Sequence, residues 1–342
     1  IGVIQELAIA ASIGVAVIIV TNLIALPIVM SYVGVTKSAV NHARKSLEHI
    51  SVVERFFANF AKPFMAKIAL AVGAVLFVVG LYFSQFMKIG DLDAGAPELR
   101  PDSVYNLDNA YIVENYSTST DVFVVMAKTA QEQCIKYDNL VWIDQFQWSI
   151  RNTPGVQDVK SIADVSKFGI FGMNEGSIKW FGLNRNQYVT NASLAKVPPG
   201  LINQDCSMAP VLIFLNDHKA DTLQNVVNAV DKFILENPPQ GIEFLMAAGN
   251  AGIESATNMV IEEAQTEMLV WVYSVVIALC LITFRSVRTV ISIVVPLVLT
   301  SILSQALMAV LGIGVKVATL PVIALGVGIG VAYGIYIFSN VR

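Results

Sequence analysis

Five long apolar stretches constrain this chain more than any other feature, because about 20 apolar residues of helix cross the roughly 30 Å hydrocarbon core of a bilayer. They lie at 7–33, 68–87, 268–284, 290–311 and 317–338, and we number them spans one to five. Hydrophobic residues fill 55% of the 342 positions and charged residues only 14%. These proportions indicate a polytopic membrane protein rather than a soluble domain.

Charge is segregated along the chain. Residues 88–267 carry 12 basic and 23 acidic side chains, whereas all other positions together carry 10 basic and 3 acidic ones. The linker at 35–67 is basic, so the positive-inside rule places it in the cytoplasm and places 88–267 in water on the opposite side. From there the turn with Arg285 and Arg288 is cytoplasmic and the turn with Lys316 is external.

These patterns divide the chain into consecutive segments. We predict a first membrane helix at 1–34, a basic cytoplasmic linker at 35–67, a second membrane helix at 68–87, an aqueous domain at 88–267 and three membrane helices within 268–342. The chain begins at Ile1 without a basic leader and ends at Arg342 directly after a span. We therefore expect it to be part of a longer polypeptide.

The aqueous domain shows two successive strand–helix–strand patterns. The first predicts a strand at 121–129, a helix at 137–152 and a strand at 155–165; the second predicts a strand at 209–217, a helix at 221–236 capped by Asp221 or Thr222, and a strand at 241–249. Two such halves favour a split βαβ, ferredoxin-like α+β sandwich with both helices on one face. The polar stretch 250–267 continues without a breaker into span three, which predicts one long helix.

An insertion at 167–207 separates the two halves. It is rich in Asn, Gly and Ser, which predicts an irregular excursion. Four of its aromatic residues are candidates for contact with a substrate: Phe168, Phe171, Trp180 and Phe181. The alternative is a loop that anchors itself with its own aromatic side chains.

Three cysteines are too few for a disulfide scaffold. Cys134 and Cys206 fall in the aqueous domain, and Cys280 falls in a span. An oxidising compartment would favour a Cys134–Cys206 disulfide, and two free buried thiols are the alternative.

Motifs for enzyme chemistry are absent from the sequence. There is no phosphate-binding GxxxxGK[ST] and no GxSxG elbow, and Glu262 and Glu263 are helix neighbours that point in different directions. His42, His49 and His218 have no metal-ligand spacing around them. We predict no cofactor, no metal site and no enzyme activity.

Glycines in span five have a packing role. Gly326, Gly330 and Gly334 recur at four-residue spacing within the apolar run. Small residues at this spacing form a face on which another membrane helix can lie closely.

Several of these features together resemble one superfamily of transporters. The TNLIALP segment, the FRSVR turn, the ATLPVIALGVGIGVAYGIYIF run and the βαβ repeat look like the resistance-nodulation-division (RND) superfamily, closest to its mycobacterial-membrane-protein-large (MMPL) branch of predicted exporters. The resemblance implies that the spans are the sixth to tenth of twelve helices and that the aqueous domain is the second periplasmic porter domain. It also implies a proton-motive-force-linked exporter of lipids or other hydrophobic molecules in the bacterial inner membrane.

One position departs from the family pattern. The proton-relay helix of such pumps usually carries an aspartate where this chain has Ala332, although the neighbouring Tyr333 and Gly334 match. Residues 268–342 contain no Asp or Glu at all. The resemblance leaves three explanations open: a relay confined to the absent fourth helix, an inactivating substitution, or a member that has lost coupling.

Ala332 also keeps a second class of function open, namely a non-pumping sterol-sensing-like lipid receptor or a protein-export accessory of the same superfamily. The expected partners are membrane lipids, hydrophobic cargo, the missing halves of the same polypeptide, and a second copy or a periplasmic protein. Nucleic acid is not among them.

Overall fold

A computed structural model gives the structure of residues 2–34, 59–238 and 241–341 and of positions 36, 38, 40 and 56. Most of the predicted cytoplasmic linker, with Arg44, Lys45, His42 and His49, lies outside the described residues. The chain divides into two compact units, which we call the helical unit (Ile1–Phe86, Val275–Leu307 and Val317–Arg342) and the sheet unit (Met87–Ser274 and Met308–Lys316).

The helical unit holds long apolar helices. Its helices are α1 Gly2–Val20, α2 Leu26–Val33, α3 Pro63–Ser84 after a 3-10 turn at Asn59–Ala61, the later part of α9 Asn250–Phe284, α10 Val287–Leu311 and α11 Leu320–Val341. Five stretches of the described chain are long and apolar enough to cross a membrane: Gln5–Val33, Pro63–Ser84, Asn250–Phe284, Val287–Leu311 and Leu320–Ser339. Each predicted span overlaps one of these five stretches.

The helix of the first span is interrupted by a short π-helical segment. A π-helical segment at Thr21–Ala25 joins α1 to α2, and Pro27 lies in the first turn of α2. Proline lacks the backbone N–H that would continue the regular ladder, so a local change of hydrogen-bond register just before it is expected.

Helix α9 is longer than a membrane is thick. Its 35 residues extend about 52 Å at 1.5 Å per residue, whereas the hydrocarbon core measures about 30 Å. The apolar run from Met268 to Phe284 accounts for about 25 Å of this length, near the lower limit for a span, and the first half of α9 is polar. The single long helix agrees with the sequence prediction.

The sheet unit is built around four strands. They are β1 Val122–Lys128, β2 Val156–Lys160, β3 Met208–Leu215 and β4 Glu243–Ala248, in the order β2-β3-β1-β4 with antiparallel neighbours. Helix α5 Tyr137–Arg151 connects β1 to β2, and α8 Ala220–Glu236 connects β3 to β4. Each βαβ half is therefore split by a strand of the other half.

Aromatic residues fill the core between these helices and the sheet. The ring of Phe146 on α5 lies 5.4 Å from that of Phe233 on α8 and 5.4 Å from that of Phe244 on β4, and Trp142 lies 4.3 Å from Phe244. Helices α5 and α8 thus lie side by side on the sheet. Phe123 of β1 is fully buried beneath them.

Four local predictions were wrong. The second strand ends at Lys160 rather than 165, because Ser161 and Asp164 form a capping box that starts helix α6 Ile162–Met173. The excursion at 167–207 is partly helical, with most of α6, a 3-10 turn at Ile178–Trp180 and α7 Gln187–Ser193. Helix α4 Val104–Asn115 was not predicted at all.

The fourth error concerns the start of α8, where Asp221 or Thr222 was expected as the cap. The cap is Lys219 and the helix begins at Ala220. Asp217 causes this shift, because its carboxylate accepts bonds from the Lys219 amide and from the Thr222 hydroxyl.

Candidate functional site

The sheet unit has a cavity of about 810 Å³ where α6 and the chain after α7 lie against the edge of the sheet. We call it the α6 groove. Its apolar wall consists of Val165, Phe168, Met173, Pro198, Leu201 and Leu212, and its polar rim includes Lys160, Asp164 and Lys196. Such a wall suits a hydrophobic ligand better than a polar one.

Close contact between α6 and α7 shapes this groove. A Cβ at Gly169 would lie 2.5 Å from the carbonyl oxygen of Ser193, so only glycine permits the observed approach. The hydroxyl oxygens of Ser166 and Ser193 lie 3.0 Å apart and join the two helices in the buried layer.

The four aromatic residues predicted to touch substrate take different places. Phe168 lines the α6 groove and is 58% exposed. The ring of Phe181 packs edge-on against the ring of Phe168 at 5.1 Å and against that of Phe171 at 5.9 Å. These ring contacts support the alternative in which the loop anchors itself with its own aromatic side chains. Phe171 and Trp180 do not line the groove.

A polar cavity of about 450 Å³ adjoins the groove and shares Lys160, Asp164 and Phe168 with it. Charges here are matched within the protein, since Arg151 and Lys160 contact Asp158 at 3.2 and 2.7 Å and Lys167 contacts Asp144. Burial alone would raise the pKa of Asp158, but Lys160, the Val159 amide and Arg151 outweigh burial and lower it. This cavity therefore presents no excess charge to a ligand.

In the helical unit, the glycine face of α11 lies on α10. A Cβ at Gly330 would lie 2.5 Å from Cδ1 of Leu297, and one at Gly334 would lie 2.9 Å from Cγ2 of Ile293. Gly326 has open space instead. Two of the three predicted packing glycines are thus in close contact with a neighbouring helix.

The predicted relay positions lie beside this contact. Tyr333 and Gly334 line a cavity of about 380 Å³ together with Ser292, Pro296 and Thr300 of α10. Ala332 is exposed on the surface of the helical unit and does not line this cavity. A longer side chain at position 332 would therefore point away from the cavity that Tyr333 and Gly334 line.

A cluster of charged groups in the sheet unit was missed by the sequence analysis. We call Asp91, Asp121, His218, Glu254 and Lys316 the charged cluster. Nδ1 of His218, whose residue is only 9% exposed, donates to Oδ1 of Asp121 across 3.1 Å. Nζ of Lys316 donates to Oδ1 of Asp91 across 2.6 Å.

Two groups of the cluster titrate far from their ordinary range. The hydrogen bond that His218 donates to Asp121 outweighs burial and raises the pKa of His218 to about 9. Burial raises the pKa of Glu254, which lies in the polar first half of α9, to about 7; Asp91 and Asp121 add to the rise, while His218 and Lys316 oppose it.

Donor atoms of Asp91, His218 and Glu254 lie within 4.8 Å of one another, a spacing that a metal ion could bridge. Lys316 already neutralises Asp91, and His218, whose pKa is raised to about 9 by its hydrogen bond to Asp121, is a cation at neutral pH. Two positive groups would repel a divalent cation in so small a space. The charges of the cluster therefore do not favour a divalent cation at this place.

Sheet topology supplied one signal for this cluster. Val122 at the start of β1 pairs with Phe214 near the end of β3. Asp121, just before β1, and His218, just after β3, therefore lie at the same end of the sheet. The other members lie on distant segments that no sequence spacing relates.

Cys134 and Cys206 form a disulfide, with Cα atoms 5.2 Å apart. The Cys134 amide also donates to the carbonyl of Cys206 across 3.1 Å. Cys280 is a free, buried cysteine on α9.

Five apolar helices of spanning length and a unit with an interleaved antiparallel sheet define a multi-pass membrane protein. The sequence profile described as MMPL family matches residues 102–342. The chain belongs to the MMPL family, as the resemblance in its sequence predicted. The family groups it with RND-type transporters of hydrophobic substrates, which are not enzymes. A comparison with curated proteins found no match.

Proposed function

We propose that this protein exports lipids or other hydrophobic molecules across the bacterial inner membrane, with the sheet unit as a periplasmic porter domain on the cargo route. The α6 groove is the observation that carries this proposal. It offers about 810 Å³ of mainly apolar space in a unit whose sequence is strongly acidic. Ligand pockets in proteins typically have volumes of about 300–1,000 Å³.

Exposed apolar side chains support a ligand site at the groove. Phe168 and Met173 both line it and are more than half exposed. Leaving apolar area in water costs about 25 cal/mol per Å², and contiguous exposed patches commonly mark binding surfaces. A hydrophobic cargo would cover this area.

Topology supports the porter assignment. The strand order with one interleaved strand in each half is what a split βαβ, ferredoxin-like domain requires. Two basic residues, Arg285 in the turn between α9 and α10 and Arg288 in the first turn of α10, favour a cytoplasmic position for that turn, which would put the sheet unit on the opposite side.

We further propose that the proton-motive force drives export through a titrating group outside 268–342. That stretch contains no Asp or Glu, and alanine at 332 cannot take up a proton. The proposal therefore assigns no relay role to a carboxylate on α9, α10 or α11 within the membrane.

Ala332 also favours a second candidate, a lipid receptor of the sterol-sensing type that binds but does not pump. Both candidates need a lipid site. Only the exporter moves its ligand against a gradient, so a measurement of gradient-dependent accumulation distinguishes the exporter from the receptor.

A photoreactive lipid analogue tests the site. The protein in native membranes is labelled with the analogue, and the labelled peptides are identified by mass spectrometry. We expect labelling around Phe168 that falls strongly in Phe168→Asp, because a carboxylate in the apolar wall is costly to bury.

Tyr188→Asp is the matched control, since Tyr188 lies on α7 in the same excursion, is 86% exposed and does not line the groove. It should leave the labelling unchanged. Equal labelling of both variants would contradict the groove as the cargo site.

A further inference from the structure

Two connecting segments of the chain are fastened to each other in the sheet unit. The Val315 amide donates to the carbonyl of Lys88 across 2.9 Å, and the Gly90 amide donates to the carbonyl of Val315 across 2.8 Å. Residues 88–91 follow α3, and residues 312–316 form the first part of the connection between α10 and α11, which we call loop 312–316. A Cβ at Gly314 would clash with the carbonyl of Gly90, so only glycine allows this approach.

The same segments are fastened to the start of α8. The Ala220 amide donates to the carbonyl of Asp91 across 2.8 Å, and Lys88 forms an ion pair with Asp221. Lys316 adds the ion pair with Asp91, whose side chain is only 18% exposed. Loop 312–316 is therefore held to the sheet unit through Asp91.

Helix α9 also contacts these segments, and we call the place where they meet the junction. Its first residue, Asn250, accepts a bond from the Val122 amide across 2.8 Å and donates to the carbonyl of Thr120 across 3.1 Å. A Cβ at Gly90 would lie 2.5 Å from Nδ2 of Asn258, so segment 88–91 packs directly on α9. Glu254 lies between these two points of α9.

Charge at this junction depends on protons. Glu254 interacts with His218 on the β3–α8 turn, Asp91 on segment 88–91, Asp121 before β1 and Lys316 on loop 312–316. With Glu254 protonated, two carboxylates balance the two cations. With Glu254 ionised, one negative charge is in excess in a half-buried place, and repulsion from Asp91 and Asp121 opposes close packing.

We propose that the charged cluster is a proton-operated latch, which holds loop 312–316 and segment 88–91 on the sheet unit while Glu254 and His218 carry protons and loosens when they lose them. All members of the latch lie within the sheet unit, which comprises Met87–Ser274 and Met308–Lys316. It stands on the sheet unit alone and does not depend on the identity of any cargo.

The direction of the effect follows from the two pKa shifts. Both groups have a folded-state pKa above the ordinary value, so each stabilises the closed latch at low pH and loses that contribution as pH rises through its folded pKa. For Glu254 the loss falls between its ordinary value of 4.5 and about 7, and for His218 between 6.5 and about 9.

Lys316, the other cation of the latch, stays positive in this window. Burial would lower the pKa of Lys316, but Asp91, Glu98 and Asp93 outweigh burial and raise it, so Lys316 stays positive. The latch therefore closes towards acid pH and loosens towards alkaline pH.

Hydrogen–deuterium exchange on the purified protein in lipid nanodiscs tests the proposal. Peptides covering 88–91 and 312–316 are followed at about pH 5.5 and about pH 8.5, with rates corrected for the intrinsic pH dependence of exchange. We expect the corrected exchange of the Gly90 and Val315 amides to be roughly tenfold faster at the higher pH, since one pKa unit corresponds to a tenfold population change.

Glu254→Gln keeps the size of the side chain and removes its titration. We expect the 88–91 and 312–316 peptides of the variant to lose the part of the pH dependence that Glu254 supplies, below about pH 7, and to keep the part that His218 supplies above it. Glu263→Gln, an exposed position on the same helix, should follow the unaltered protein. Peptides of β1 and β3 serve as a check that the fold is intact.

Two results would overturn the latch. One is a corrected exchange rate at 88–91 and 312–316 that does not change with pH in the unaltered protein, a measurement that needs no variant. The other is a Glu254→Gln variant that retains the full pH dependence.

Discussion

Lys316 and Asp91 are 225 residues apart in the chain, yet Nζ of the lysine lies 2.6 Å from Oδ1 of the aspartate. Both side chains are partly buried. Sequence reasoning treated Lys316 only as a lone basic residue in an external turn. Its contact with Asp91 holds loop 312–316 within the sheet unit.

We predict that the free energy of unfolding of the sheet unit falls as pH rises from about 5 to about 9. His218 and Glu254 both have raised folded-state pKa values, so their contributions are present at low pH and are lost across this window. Denaturant titration followed by the fluorescence of the core residue Trp142 would measure it. A free energy of unfolding that rises with pH over this range would show the sign to be wrong.

We predict that Gly330→Val destabilises the helical unit by about 1–3 kcal/mol, because overpacking at a close helix contact has this cost. The added side chain would collide with Leu297 on α10. Gly326→Val is the control, since Gly326 has no neighbouring atom within 4 Å. Thermal unfolding in detergent should separate the two variants, and equal loss in both would argue against the α10–α11 contact.

We predict that replacing Cys134 and Cys206 together by serine lowers the stability of the sheet unit by about 2–5 kcal/mol. The disulfide joins positions 72 residues apart and so restricts a long loop of the unfolded chain. A reductant should have the same effect on the unaltered protein and none on the double variant. Cys280→Ser should stay reductant-sensitive, and a reductant-insensitive unaltered protein would contradict the disulfide.

We predict that Ala332→Asp increases proton-driven transport, because it would add a titrating group to the one proposed outside 268–342, at the position where the sequence resemblance implies an aspartate. A carboxylate within the membrane would be desolvated, and its pKa would move towards the working range. Proton flux and transport in energised vesicles would be compared with Ala332→Asn, a neutral side chain of the same size. No gain of Asp over Asn would count against the relay role that the sequence resemblance implies for position 332.

The spans and the two βαβ halves could be predicted because they depend on local patterns. Each span is a continuous apolar run, and helix α8 places Leu223, Val226, Val230 and Phe233 on one buried face. Such signals lie within one element and need no knowledge of its neighbours.

The excursion could not be predicted for the opposite reason. Its Asn, Gly and Ser content is typical of loops, but Gly169 and Ser166 allow α6 to lie against Ser193, and this tertiary contact stabilises both helices. The charged cluster was hidden in the same way, because it brings together five segments that only the fold makes neighbours.

Transport of a fluorescent phospholipid in inverted inner-membrane vesicles tests the central claim most directly, namely export of hydrophobic molecules by way of the α6 groove. Energised vesicles that contain the protein should accumulate the reporter in the lumen several-fold over vesicles without it, with Phe168→Asp abolishing the gain and Tyr188→Asp retaining it. Binding of the reporter without gradient-dependent accumulation would contradict the exporter and favour the lipid receptor.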